Sequence, residues 1–256
     1  MSENTEKYER FLGKWQEKNM ETSADFDVAL SNFKVLFAYN SNAIENPETT
    51  YHDTREIFEN GNVSGYTGNL RTLFEIQNQK ECYEFLRGKI LEKQLIDVNL
   101  IKEIHGILLK GCYDESRFDK GERPGTFKVN DFVVGDNIGA LASETKQEVQ
   151  ELCKEINDFS GNDILVAAAY LHLNFESIHP FADGNGRVGR TLMNYFLMIN
   201  GYPPAIIYDE DKKTYYMALA VFDKTGSLDG FKEFLMEQTL KTWQENRQKS
   251  KPLNEY

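Results

Sequence analysis

The chain has 256 residues, a length that suits one compact domain, or one domain with a helical extension, and that can bury a sizeable core. Its 41 acidic residues outnumber its 29 basic ones, and the net charge of −12 argues against a broad surface for nucleic acid or anionic membranes. The N-terminal stretch is charged and lacks the apolar core of a signal peptide, so we expect a cytoplasmic protein. The three cysteines show no C-x-x-C spacing, and we expect them to be reduced and structural.

The N-terminal part of the chain predicts two amphipathic helices. Apolar residues recur at helical spacing over residues 5–20, and a stronger stripe runs over residues 23–39, with Ser23 as the expected N-cap. The stripe of the second helix consists of Phe26, Leu30, Phe33 and Phe37. We expect these side chains to pack in the core and Pro47 to stop the helix soon after its end.

The rest of the chain predicts helices and one β-hairpin. Helical spacing recurs over residues 53–58, 70–91, 98–109, 143–160, 163–177, 211–223 and 228–247. After a loop over residues 111–125, the hairpin is predicted within residues 126–139, where β-forming residues flank an Asn130-Asp131 turn. Its edge can align an extended peptide by main-chain pairing, or the hairpin simply covers the core. His105 is expected to be packed rather than catalytic.

The most informative stretch is residues 179–190, HPFADGNGRVGR, which leads into the apolar run TLMNYFLMIN. Gly184 and Gly186 permit backbone conformations that other residues avoid, and they let a ligand approach the main chain closely. The helix that begins near Arg187 offers unpaired N–H groups, which form an anion site. Arg187 and Arg190 lie three apart on the first turns, so both guanidinium groups can reach an anion such as a phosphate chain.

Two further side chains in this stretch suit phosphate chemistry. Asp183 is a hard carboxylate that can hold Mg²⁺, and the metal can then bridge phosphate oxygens. His179 is a base that is useful near neutral pH. The alternative is a glycine-rich loop that only turns between two helices. We favour the anion site because a bare turn needs neither two arginines nor a carboxylate at these offsets.

Residues 179–190 resemble the motif of the Fic family, His-x-Phe-x-Asp/Glu-Gly-Asn-Gly-Arg-x-x-Arg, at every specified position. The resemblance implies a mainly α fold, a Fic-type helical bundle with one β-hairpin flap. It also implies transfer of AMP from ATP, with Mg²⁺, to a Ser, Thr or Tyr hydroxyl of a protein. The implied roles are His179 as base, Asp183 as metal ligand, Gly184, Asn185, Gly186 and Arg187 for the α- and β-phosphates, Arg190 for the γ-phosphate, and Phe181 as a buried anchor.

A second resemblance lies upstream. Fic proteins that restrain themselves carry Ser/Thr-x-x-x-Glu-Gly/Asn on an inhibitory helix, and Ser41, Glu45 and Asn46 match this pattern. The resemblance implies that Glu45 pairs with Arg190 and occupies the guanidinium group meant for the γ-phosphate. Ser41, one turn earlier, would fix the position of the helix or of Glu45. The alternative is a solvated surface glutamate near a helix end.

Weaker resemblances complete the predicted site. Tyr215 and Tyr216 resemble family positions near the nucleotide base, although ordinary packing of a helix face explains them equally well. Asp223 stands where some relatives have an Asn that bonds the base, and this departure leaves the purine contact open. The flap residues expected to dock a target are Phe132, Val133 and Val134.

Three segments are expected: residues 1–60 as a helical extension with the inhibitory motif, residues 61–227 as the Fic core, and residues 228–256 as a C-terminal helix and tail. The expected partners are ATP and a protein with a hydroxyl side chain. Self-modification and formation of a homo-oligomer are further candidates, whereas neither nucleic acid nor a membrane is expected.

The favoured function is that of a self-inhibited protein adenylyltransferase. Within the family, alternatives are removal of AMP from a modified protein, with Glu45 orienting water, and transfer of UMP, phosphate or phosphocholine. An alternative of another class is a regulatory binding module that senses ATP and in which Glu45 keeps the chemistry permanently off. An intact His179 argues against that module.

Overall fold

The structure is a computed structural model that describes residues 3–18, 20–134 and 137–249. In these residues the chain is mainly α-helical, as predicted, with one very short pair of strands. The helices are α1 (Glu3–Gln16), α2 (Ser23–Ala29), α3 (Ser31–Ala43), α4 (Tyr51–Asn60), α5 (Leu70–Leu91), α6 (Val98–Leu108), α7 (Glu115–Asp119), α8 (Thr145–Asn157), α9 (Ile164–Ile178), α10 (Asn185–Ile199), α11 (Lys212–Thr225) and α12 (Asp229–Lys249). None of the helices in the described part of the chain combines the length and apolar character that crossing a bilayer requires.

The helix predicted over residues 23–39 is in fact two helices, α2 and α3, which meet at Leu30. Leu30 is fully buried, but its backbone (φ −106°, ψ 12°) leaves the helical region. The prediction of Ser23 as N-cap is wrong. Thr22 caps α2 instead, because its hydroxyl accepts the Asp25 N–H while the Asp25 carboxylate accepts the Thr22 N–H, which forms a capping box.

Helices α9 and α10 form the centre of the molecule. They pack against each other, and α10 is also flanked by α3, α5 and α6. Apolar residues surround both helices on most sides, so almost every residue of α10 is buried. The loop that joins them, residues 179–184, is therefore held at both ends by core helices.

An aromatic cluster joins the N-terminal and C-terminal helices. The rings of Trp15 on α1 and Trp243 on α12 lie 4.6 Å apart, measured between centroids. Phe33 on α3 stacks on Trp243 at 6.1 Å. Such aromatic contacts add to the stabilisation that comes from buried area. They tie α3, which leads into the predicted inhibitory motif, to the C-terminal helix.

The predicted hairpin is present but shorter, and its turn lies elsewhere. Strands β1 (Val133–Val134) and β2 (Asn137–Ile138) pair antiparallel, so the turn predicted at Asn130-Asp131 is wrong. Both of those side chains have other partners. The Asn130 amide donates to the Glu122 carboxylate at 2.7 Å, and Asp131 accepts the N–H of Ala142 at 2.8 Å. They fix the base of the hairpin instead of turning the chain.

Candidate active site

The loop over residues 179–184 is fixed by its own backbone geometry and by one buried amide. Helix α9 ends at His179, which adopts a left-handed conformation with φ 50° and ψ 61°, and Gly184 adopts φ 80° immediately before α10. The Asn185 side chain accepts the N–H of Phe181 at 2.9 Å and donates to its carbonyl at 2.8 Å. Asn185 thus closes the loop with its side chain, so any contact it makes with a phosphate must come from its main chain.

Phe181 is fully buried, as the sequence predicts, and it stacks on the ring of His105 with the centroids 3.7 Å apart. The Nδ1 atom of His105 accepts the N–H of Gly125 at 2.7 Å, so its Nε2 carries the proton and donates to the Asp183 carbonyl at 3.1 Å. Burial lowers the pKa of His105 to about 4 and keeps the ring neutral. His105 therefore packs against the loop and stabilises it, in line with its predicted packing role.

The predicted inhibitory motif contacts Arg190, the second arginine of the 179–190 motif. Arg190 Nη2 donates to Glu45 Oε1 at 2.8 Å and to the Ser41 carbonyl at 2.9 Å, and its Nε donates to Ser41 Oγ at 3.2 Å. Arg190 is 1% exposed, whereas the Glu45 side chain is 34% exposed. Burial acts to lower the pKa of Arg190, but the charge and hydrogen bond of Glu45, together with Tyr215 and Glu176, outweigh it and the pKa is raised. Ser41 thus binds Arg190 directly, through both its hydroxyl and its carbonyl oxygen.

The Glu45 carboxylate lies over the first turn of α10. A Cβ atom at Gly186 would overlap Glu45 Oε1 and would lie 2.8 Å from Arg190 Nη1. Only a glycine leaves room for the ion pair at this place. A helix start of this kind attracts anions through its N–H groups and dipole. The chain therefore places one of its own carboxylates at the predicted phosphate site.

The end of α3 is held from two sides. Towards α5, the Asn46 side chain donates to Glu75 at 2.9 Å and to Thr72 at 3.0 Å. Towards α11, Lys212 Nζ donates to the carbonyl of Ile44. These bonds orient the chain that carries Glu45.

Asp183 lies among three guanidinium groups, two of which the sequence did not indicate. Its Oδ2 atom is 2.9 Å from Arg71 Nη2 and 3.3 Å from Arg117 Nη2, and its Oδ1 atom is 3.4 Å from Arg187 Nη2. Burial acts to raise the pKa of Asp183, but the three arginines outweigh it and hold the pKa below its usual range. The carboxylate is thus ionised and able to bind a cation.

Arg187 is buried between two carboxylates. In addition to Asp183 it contacts Glu75, whose Oε1 atom lies 3.0 Å from Arg187 Nη1 and 3.0 Å from Arg71 Nε. The side chains of Arg187 and Glu75 are each only 3% exposed. Glu75 therefore orients the first motif arginine, a role that the sequence did not reveal.

The residues present suit a magnesium ion that arrives with a nucleotide. Among the described residues, no group of three or more His, Cys, Asp or Glu side chains is arranged to hold a metal. Asp183 would be the single carboxylate ligand. Mg²⁺ is typically held by one or two carboxylates together with substrate phosphates and water, so this donor set fits the ion as part of Mg·ATP.

The predicted base, His179, lies beside the segment that carries the hairpin. The Ala140 N–H donates to the Ile178 carbonyl at 3.0 Å, and the Lys128 N–H donates to the Pro180 carbonyl at 2.9 Å. Burial, aided by the Lys128 charge, lowers the pKa of His179 to about 4. The imidazole is therefore neutral at physiological pH and able to accept a proton.

The predicted docking residues of the flap lie at the start of the hairpin. Phe132 is half-buried at the start of the hairpin. The side chains of Val133 and Val134 lie outside the part of the chain that the structure describes, although their backbones form β1. Docking by these three residues stays a prediction.

The predicted adenine-side residues differ in their positions. Tyr215 is buried, its hydroxyl lies 2.9 Å from His172 Nε2, and its ring lies under Arg190 with 5.8 Å between the centroid and the guanidinium carbon. Its ring packs against Phe231 and Phe234 of α12, in agreement with the alternative that it is part of an ordinary packed helix face. Its role beside a base stays a prediction. Tyr216 is 42% exposed, and Asp223 accepts a hydrogen bond from Ser177 at 3.0 Å.

These features define the class: a helical bundle in which a glycine-rich loop brings a histidine, an aspartate and two arginines to the start of a buried helix, with a glutamate on the second arginine. Residues 95–197 match the model of the family described as the Fic/DOC family. Residues 95–197 thus form a Fic domain.

Relatives of known name support this assignment. The chain is 30% identical over 207 residues to a protein named protein adenylyltransferase Fic from Drosophila persimilis, which covers 80% of this chain and 39% of the relative. It is 28% identical over 190 residues to protein adenylyltransferase fic-1 from Caenorhabditis elegans, which covers 73% of this chain and 36% of the relative. The chain thus spans about two fifths of the length of these relatives.

Solved structures have the same fold. A Fic domain containing signaling protein from Bacteroides thetaiotaomicron superposes with a TM-score of 0.79 at 25% identity, and the match covers 92% of this chain and 93% of that one. Fic-1 from Caenorhabditis elegans superposes with a TM-score of 0.76 at 24% identity, covering 94% of this chain and 69% of that one. The helical bundle is therefore that of Fic proteins along nearly its whole length.

Proposed function

We propose that this protein is a self-inhibited protein adenylyltransferase, which transfers AMP from Mg·ATP to a Ser, Thr or Tyr hydroxyl of a protein. One observation carries the proposal: the Glu45 carboxylate rests on Arg190 at the start of α10, where an anion is expected to bind. An internal carboxylate at this place implies that the site is built for an anion. The adenylyltransferase names of the relatives support AMP as the transferred group.

Binding of ATP and the contact of Glu45 with Arg190 exclude each other in this proposal. The γ-phosphate needs the guanidinium group that Glu45 holds, so a productive pose of ATP requires Glu45 to withdraw. The strength of the restraint equals the difference in ATP affinity between the two states. Self-inhibition therefore acts on how the nucleotide binds and leaves the chemical groups intact.

Asp183 would hold the Mg²⁺ ion, which supplies charge neutralisation and orientation at the phosphates. The glycines and the first N–H groups of α10 then contact the α- and β-phosphates. Only glycine at 184 fits, because its φ of 80° disfavours other residues and a Cβ atom there would overlap the Leu109 side chain. The loop thus brings main-chain donors close to the phosphates at low conformational cost.

His179 is the proposed general base. Its neutral imidazole takes the proton from the target hydroxyl, the hydroxyl oxygen bonds to the α-phosphorus, and the bond to the bridging oxygen breaks so that pyrophosphate leaves. The hairpin beside His179 would align an extended target segment by main-chain pairing. Alignment and proton removal are the two contributions that the chain makes to this step.

The test compares four proteins: wild type, Glu45→Gly, His179→Ala and the control His52→Ala, which changes an exposed histidine on α4. Each is incubated with each of the four labelled nucleoside triphosphates and Mg²⁺, with and without a cell extract as a source of targets. The mass added to protein is then measured. We expect AMP from ATP only, most strongly with Glu45→Gly, at the wild-type level with His52→Ala, and none with His179→Ala.

Other outcomes would redirect the assignment. An adduct of UMP or of phosphate would identify a different transferred group. The absence of any adduct on protein in the extract, with ATP binding retained in Glu45→Gly, would favour a regulatory module that senses ATP. Loss of label from a modified protein, faster with wild type than with Glu45→Gly, would indicate removal of AMP.

A further inference from the structure

Two arginines outside the 179–190 motif reach the candidate metal ligand. Arg71 comes from the first turn of α5 and Arg117 from α7, and the Nη2 atom of each points to the same oxygen, Oδ2 of Asp183, at 2.9 Å and 3.3 Å. Their side chains are 35% and 30% exposed. Both side chains are thus partly accessible to solvent.

Each arginine has a second carboxylate that holds another of its nitrogens. Arg71 Nε lies 3.0 Å from Glu75 Oε1, and Arg117 Nη1 lies 2.9 Å from Asp114 Oδ2. The contact with Asp183 can therefore be given up while the guanidinium group stays in place. Because the guanidinium group is a planar fork with five N–H donors, one edge can stay paired while another binds a new anion.

The charges around Asp183 favour such an exchange. One carboxylate oxygen forms ion pairs with two guanidinium groups, although Asp183 is also the residue that would hold Mg²⁺. A metal and two guanidinium groups cannot all keep the same close position on one oxygen, because like charges repel. Once the carboxylate is shared with the ion, both Nη2 donors need a new acceptor, and the nearest anion brought by the substrate is its phosphate chain.

We propose that Arg71 and Arg117 are ligands of the ATP polyphosphate: they neutralise Asp183 in the free protein and bind phosphate oxygens when the nucleotide enters. The inference rests on the proposed function. It adds two positive charges, from helices outside the motif, to those of Arg187 and Arg190. The four arginines together match the high negative charge of a triphosphate better than the motif pair alone.

The test measures ATP affinity by calorimetry in the double variant Glu45→Gly/His179→Ala, in which the restraint and the chemistry are both removed. Into this protein we introduce Arg71→Gln or Arg117→Gln. The matched control is Arg87→Gln, which removes a guanidinium group of similar exposure (38%) on the same helix α5, paired with Asp27 at 2.7 Å. We expect each site variant to weaken ATP binding about tenfold and the control to change it less than twofold.

A double-mutant cycle separates direct contact from an effect through Asp183. The same arginine substitutions are repeated with Asp183→Asn added. If the arginines bind phosphate directly, their substitution will still weaken ATP binding about tenfold. If they act only by holding the Asp183 carboxylate, their substitution will have no further effect, and this result would overturn the proposal. The ATP affinity of Arg71→Lys and Arg117→Lys should lie between that of the parent protein and that of the glutamine variants, because lysine keeps the positive charge and lacks the planar guanidinium fork.

The outcomes also separate this inference from the function on which it rests. If the double variant itself binds no ATP, the proposed function fails and this inference fails with it. If it binds ATP and neither arginine matters, only this inference fails. Thermal melts of each variant exclude a general loss of folding. Arg117→Gln serves if Arg71→Gln unfolds, because of these two arginines it is Arg71 that pairs with the buried Glu75.

Discussion

Replacement of Glu45 by glycine should raise the proposed AMP-transfer activity, and the contact between Glu45 and Arg190 indicates by how much. A hydrogen bond between charged groups contributes about 1.5–3 kcal/mol to the stability of the state that contains it. Because the Glu45 side chain is 34% exposed, we expect the pair with Arg190 to lie at the lower end of this range. A difference of about 1.5–2 kcal/mol corresponds to about 10- to 30-fold in the equilibrium between the two states. We therefore expect Glu45→Gly to raise kcat/KM for ATP by about 10- to 30-fold.

The same change should destabilise the fold. Arg190 is 1% exposed, and once Glu45 is removed it keeps its hydrogen bonds to Ser41 but loses the carboxylate with which it is paired. A buried charge that loses its partner costs about 1–2 kcal/mol here, which lowers the melting temperature by about 2–8 °C for a chain of this size. Activity and stability should thus move in opposite directions. Added ATP should restore part of the lost stability if, as proposed, its γ-phosphate pairs with Arg190.

The assay is AMP incorporation at several ATP concentrations, alongside thermal melts. Glu48→Gly is the matched control, since it makes the same chemical change at an exposed position three residues away. Glu45→Gln should activate less than Glu45→Gly, because an amide keeps the shape and can still accept a hydrogen bond. If Glu45→Gly and Glu48→Gly activate equally, the ion pair with Arg190 is not the restraint and the reasoning is refuted.

Three further predictions concern other contacts at the site. Because the pKa of His179 is lowered to about 4, kcat/KM of Glu45→Gly should stay level from pH 8 to about pH 5.5 and fall only below that, whereas an unperturbed histidine would lose half its activity near pH 6.5. Asn185→Ala should lower the free energy of unfolding by about 2 kcal/mol and the melting temperature by about 4–8 °C, because it leaves the buried N–H and carbonyl of Phe181 unpaired. Lys212→Met should raise AMP incorporation about two- to tenfold by freeing the end of α3, and it should add nothing to Glu45→Gly.

Each of these has an outcome that counts against it. A midpoint near pH 6.5 would show that His179 is not shielded in the way its burial indicates. An unchanged melting temperature for Asn185→Ala would mean that water satisfies the Phe181 backbone. Further activation when Lys212→Met is combined with Glu45→Gly would show that Lys212 acts on something other than the restraint.

The 179–190 motif could be interpreted from sequence because its parts are local. The glycines, Asp183 and the two arginines lie within two helical turns of one another, so their spacing alone places them around one helix start. The helical class was equally predictable, since apolar spacing marks long helices well. The turn at Asn130 was wrongly predicted because residue type alone does not show which partner a side chain has. Asn130 suits a turn, yet its amide binds Glu122.

From sequence alone we predicted the mainly α fold, a candidate anion-binding loop and, through resemblance, the pairing of Glu45 with Arg190. Tertiary packing brings Arg71 and Arg117 to Asp183 and Glu75 to Arg187. It also packs Tyr215 against α12. Arg71 and Glu75, four apart on a helix, are indistinguishable in sequence from a solvated surface pair. Their burial and their distant partners depend on how α5 packs against α10, and no local spacing encodes that packing.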